Sequence, residues 1–135
     1  MRAALVIALL LVAALLPACS DEFASLRSSW QPVTREDARE IADADAQRGR
    51  VLIVQHGCVS CHEFPRQKAP RAHVGPPLTR FSLRTNIGGS LPNQPEQLVR
   101  FLMNAPAELP GTGMPDLALD LADARDVAAY LYTLK

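Results

Sequence analysis

Cys58-Val59-Ser60-Cys61-His62 sets two thiols three residues apart, with an imidazole directly after the second. In one tight turn, that spacing turns both sulfurs and the ring toward the same space. Three familiar uses of a Cys pair fit the surroundings poorly. A thioredoxin-like redox pair belongs in a βαβ setting, and no such pattern surrounds this one. A structural zinc site needs four ligands, and the chain has no second Cys pair. A disulfide between Cys58 and Cys61 remains open to an exported protein, but it gives His62 no role.

The remaining reading is C-x-x-C-H as the attachment pattern of a c-type haem. Each thiol can form a thioether to one vinyl group, and His62 then lies against the iron as proximal ligand. Composition agrees with a large apolar guest. Aromatic residues make up only 5% of the 135 residues, so a core of side chains alone would be thin. The chain is long enough for one small domain and a tail. Its 14 basic and 14 acidic residues cancel, which removes any whole-chain bias toward nucleic acid.

At the N-terminus, Met1-Arg2 precedes an apolar run from Ala3 to Leu16. Such a run is short of the roughly 20 residues that span a bilayer and fits the apolar region of a secretory signal. Residues 1–18 are therefore expected to be a signal peptide. Leu16-Pro17-Ala18-Cys19 resembles a bacterial lipobox, with Pro17 as its less usual member. That likeness predicts lipidation of Cys19 and a periplasmic domain held at a membrane surface without spanning it. Ordinary cleavage near Cys19, leaving a free thiol, is the competing outcome.

Residues 19–34 read as a tether, with Trp30 a candidate to dock on the domain that occupies residues 35–135. Thr34-Arg35-Glu36-Asp37 has the form of a capping box. Small or apolar residues follow at helical spacing through Ile53, with Asp45 the exception and Gly57 the expected stop. Residues 65–93 carry five prolines and three glycines and no useful strand alternation, so they are expected as loop. Pro95 opens a second helix with Leu98, Phe101 and Leu102 on one face. Residues 106–115 return to loop. Asp120 and Asp123 begin a last helix whose apolar face is Ala124, Val127, Ala128, Leu131 and Leu134. The expectation is an all-α fold of three to four helices and long loops wrapped around one haem.

Met103, Met114, His56, His73 or an open position could face the other side of the iron. Met103 falls in a helical pattern, whereas Met114 stands in the Pro/Gly loop PGTGMPD and leads. His56 and His73 are expected at the surface.

In order along the chain come a helix, CVSCH, GPPL (75–78), GMPD (113–116) and a helix ending AAYLYTL. This succession resembles a class I c-type cytochrome across about residues 35–135. The resemblance implies a cytochrome c-like fold and a monohaem electron carrier rather than an enzyme. It implies that Pro76 accepts a hydrogen bond from His62, and that Met114 is the distal ligand. It also implies crossing terminal helices with a small residue at the contact, for which Gly49 and Tyr130 are candidates. Arg80, Arg84 and Asn86 occupy the stretch that would bond the haem propionates, with solvated surface charge as the plainer alternative for the arginines.

Charge is unevenly spread. Residues 21–45 carry −4, residues 48–100 carry +6 and residues 108–135 carry −3. Arg66, Lys68 and Arg71 could ring the exposed haem edge and steer an acidic redox partner, an effect that salt would weaken. Electron transfer between respiratory or dehydrogenase complexes is the expected task. A haem enzyme or gas sensor with an open distal site and a fixed subunit of a larger oxidoreductase are the alternatives.

Overall fold

The computed structural model describes residues 39–65 and 74–135. The signal segment, Cys19, Trp30, the Thr34 capping box and residues Arg66, Lys68, Arg71 and His73 lie outside the described residues. Those described fall in one compact unit. It contains four α-helices: α1 (Ala46–Gln55), α2 (Pro95–Met103), α3 (Ala105–Glu108) and α4 (Leu121–Tyr132). Two 3-10 turns, Cys58–Ser60 and Phe81–Leu83, and a hairpin complete it, the hairpin pairing β1 (Asn86–Ile87) with β2 (Leu91–Pro92). None of the described helices is long and apolar enough to cross a membrane.

The first helix starts later than its periodicity suggests. The chain turns at Asp43, whose φ is 58°, and α1 begins only at Ala46. Asp45, the polar exception in the apolar pattern, is its N-cap: the carboxylate accepts the N–H groups of Gln47 and Arg48 at 2.8 and 3.1 Å. A short side chain that caps a helix start competes with continuing the helix backward, so the pattern overran the true boundary. At the other end Gly57 takes a φ of 70°, the left-handed conformation that ends many helices.

Two other segments read as loop are partly ordered. Asn104 caps α3 by accepting the Ala107 N–H at 3.0 Å, and α3 runs through residue 108, into the stretch from residue 106 where only a Pro/Gly connection was expected. The hairpin is two residues deep on each side, too short to leave an alternation in sequence. The last helix matches its expected start, with Asp120 accepting the Asp123 N–H at 2.8 Å.

α1 and α2 both pack on α4. At the α1–α4 crossing, a Cβ built on Gly49 would lie 2.5 Å from the Asp126 carbonyl carbon and 3.0 Å from Tyr130 Cβ. The backbones touch there. Asp126 is buried but not alone: its carboxylate accepts the Asp45 N–H at 2.7 Å and pairs with Arg48. Around this contact Ile53, Leu98 and Val127 are fully buried, each stabilising the fold by about 1.5–3 kcal/mol relative to exposure.

A second, polar seam joins α4 to the loops. Tyr132 donates to Asn93 Oδ1 at 3.1 Å. Burial pushes its phenol up to about 12, with Arg39 working in the opposite direction. The hydroxyl therefore keeps its proton across neutral pH. Phe81 lies against Tyr132 with ring centroids 6.1 Å apart.

Candidate functional site

The end of α1 delivers the Cys-His motif. After the Gly57 turn, Ser60 N–H donates to Gly57 O at 3.0 Å, and Cys61 and His62 N–H both donate to Cys58 O, at 3.3 and 2.9 Å. This single helical turn brings Cys58, Cys61 and His62 to one cleft of about 320 Å³. Cys58 and Cys61 are not joined to each other in a disulfide, and burial pushes the Cys58 thiol up in pKa.

Two loop segments line the cleft with the motif. One is a strap, residues 75–78, tied at both ends to the motif: Gly75 N–H donates to Cys61 O and Leu78 N–H to Glu63 O, both at 2.8 Å. Between these ties, Pro76 O lies 2.8 Å from His62 Nδ1. A carbonyl only accepts, so Nδ1 carries the proton and donates, and Nε2 is the nitrogen with a lone pair for a metal. The other segment is the loop of Thr112, Gly113, Met114 and Pro115. Thr112 Oγ1 accepts the Met114 N–H at 3.3 Å, holding the thioether-bearing residue at the cleft wall.

The donor set fits a c-type haem. Two thiols, a histidine with a fixed tautomer and a methionine share one cleft, which is lined further by Val74 and Leu117. Gly75 supplies a separate observation of fit. A Cβ there would sit 2.5 and 2.6 Å from His62 Cε1 and Nδ1, so the strap can lie against the ring only with glycine at this position. Gly75→Ala is expected to swing the imidazole off Pro76 O. We predict at least about tenfold less matured haem protein, the lower end of the loss typical when a partner of a metal-bound His is removed. Absorbance of the reduced protein per milligram checks it.

Not every expected residue reaches the cleft. Met103 packs at the end of α2 against the core and does not line it. Arg80 adopts a φ of 54° before the Phe81–Leu83 turn, and Asn86 bonds within its hairpin to Gly89 O at 3.4 Å. Arg84 donates to Pro77 O and lies over the Phe81 ring at 5.8 Å, on the strap rather than in the cleft. His56 does line the cleft, and its Nε2 lies 3.4 Å from Asp123 Oδ2.

Sequence reasoning had no role for Gly75 or Thr112. A glycine directly before Pro76 was the available sign of a close approach. Nothing in sequence marks Thr112.

Among known proteins, no curated protein and no solved structure matches this chain. The family model of Cytochrome c matches residues 46–135, which is 90 of the 135 residues. That match runs from the first residue of α1 through the motif, the strap, the Met114 loop and α4 to Lys135. The chain belongs to the cytochrome c family.

Proposed function

We propose that this protein transfers single electrons through one covalently attached haem c with His62 and Met114 as axial ligands. The carrying observation is that His62, with Nδ1 already committed to Pro76 O, shares a cleft with Met114. Membership of the family supports haem-based electron transfer in general. When bound, the haem supplies a one-electron couple whose potential a Met ligand raises relative to His. The chain's own residues do the rest. Cys58 and Cys61 anchor the group, and the strap keeps the imidazole from turning. The Pro76 carbonyl makes the ring more electron-rich by accepting a hydrogen bond from its Nδ1–H. The Met114 loop closes the far side against water.

The N-terminal segment extends the reading to location. The apolar run of residues 3–16 and the Cys19 context support export, lipidation and a place at the periplasmic membrane face. From there the domain would shuttle electrons between respiratory or dehydrogenase complexes. The excess of positive charge in residues 48–100 favours an acidic docking partner. Cys19→Ser is expected to move the protein from the membrane to the soluble periplasmic fraction. Retention in the membrane fraction would remove the lipid anchor from the proposal.

The test of the haem reading is an optical spectrum of the periplasmically matured protein, oxidised and reduced, with and without carbon monoxide. A low-spin spectrum with a far-red sulfur-to-iron band, indifferent to the gas, is expected. A high-spin or gas-binding spectrum would favour a sensor or enzyme with an open distal face.

A further inference from the structure

Asn93 is a buried polar residue outside the cleft that joins α4 to Arg84, the residue whose side chain holds the His62 strap. It is 5% exposed and stands just before α2. Its Nδ2 donates to Phe81 O at 3.3 Å and to Arg84 O at 3.1 Å, and its Oδ1 accepts from Tyr132 on α4. Its backbone N–H donates to Thr85 O at 2.8 Å. The Arg84 carbonyl also accepts from Arg39 Nη2 at 2.6 Å, and the Arg39 guanidinium lies over the Tyr132 ring at 5.4 Å. Arg84 is thus fixed at its backbone by the core, while its guanidinium holds Pro77 O. Pro77 directly follows Pro76, and two consecutive prolines have fixed φ values, so the pair moves as a stiff unit. Pro76 O is the acceptor for His62 Nδ1.

We propose that Asn93 is a positioning residue for the haem-iron ligand His62, acting from Tyr132 through Arg84 and the Pro76–Pro77 strap. The proposal rests on His62 being the proximal ligand. A buried amide satisfied on both sides is an expensive feature for a small core, because losing any partner strands another. Here it tethers α4 to the one loop that sets the imidazole. When the tether loosens, the hydrogen bond from Nδ1 to Pro76 O weakens and the ring becomes less electron-rich. The oxidised state then loses support, and the reduction potential rises.

The experiment uses the matured holoprotein and the variants Asn93→Ala, Tyr132→Phe and, as a control, Asp120→Ala. Asp120→Ala removes a helix cap and costs about 1 kcal/mol of stability without touching the strap. Two quantities are read: hydrogen exchange of the His62 Nδ1–H by nuclear magnetic resonance, and the reduction potential. Asn93→Ala is expected to speed that exchange about tenfold, the scale of one lost hydrogen bond, and to raise the potential. Tyr132→Phe shifts both in the same direction by less, and Asp120→Ala lowers thermal stability while moving neither. The proposal is overturned if Asn93→Ala and Tyr132→Phe lower stability while leaving His62 exchange and the potential as in the parent. Should Asn93→Ala fail to fold, Tyr132→Phe decides alone by the same two readouts. The Nδ1–H signal is read whichever residue faces the distal side, so failure of the Met114 assignment is seen separately, in the spectrum of the parent protein.

Discussion

Replacing Gly49 by Ala is expected to destabilise the domain by about 2 kcal/mol, although alanine is the better helix former. In an exposed helix the exchange would stabilise by roughly 1 kcal/mol. Here the added methyl meets the backbone of α4 at Asp126 and, at 3.0 Å, the Cβ of Tyr130. Backbone cannot turn aside as a side chain can, so the helices must move apart, and overpacking of this kind costs about 1–3 kcal/mol. The separation also loosens the bond from Asp45 N–H to Asp126 and the Arg48 ion pair beside it. At roughly 4–8 °C per kcal/mol for a domain of this size, the melting temperature should fall by about 10 °C. Thermal unfolding followed by circular dichroism reads the change. An unchanged or raised melting temperature would mean that the two helices have room at the crossing.

The largest functional effect is expected from Met114→Ala. Met114 is half-buried on the cleft wall and packs against the edge of the core without being one of its buried members, so the fold should persist. The variant should lose the far-red sulfur-to-iron band and take up carbon monoxide when reduced. Its potential should fall by on the order of 100 mV or more, within the span of roughly 0.8 V that axial ligands cover. A spectrum and potential equal to the parent's would transfer the distal role to another residue. Met103 is poorly placed to inherit it, since it packs on the core away from the cleft.

Both predictions concern residues that the sequence had singled out, yet for unequal reasons. Met114 stood out as a methionine in a Pro/Gly loop before a helix once the Cys58-Cys61-His62 motif called for a second ligand. Gly49 drew notice through resemblance to crossing helices, while its contact with the Asp126 backbone is a distance between elements some 77 residues apart. The same division separates the two acidic caps. Asp120 announces its helix because a polar residue precedes a clean apolar period. Asp45 hides inside an apparent period that runs back to Ala38, and only the Asp43 turn and its bond to Asp126 reveal the break.

The parts legible from sequence were those governed by bonds and spacings along the chain. These include the Cys58-Cys61-His62 turn, the helical faces of α2 and α4, the Gly57 stop and the all-α class. Periodicity, capping and chemical valence act over a few residues, and each leaves its mark where it acts. Side-chain placement across the fold left no such mark. That Arg84 grips Pro77, that Gly75 lies on the His62 ring, and that Tyr132 and Asn93 brace the strap all depend on where distant segments meet. Meeting places are chosen by the packing of the whole core, with every buried polar group required to find a partner.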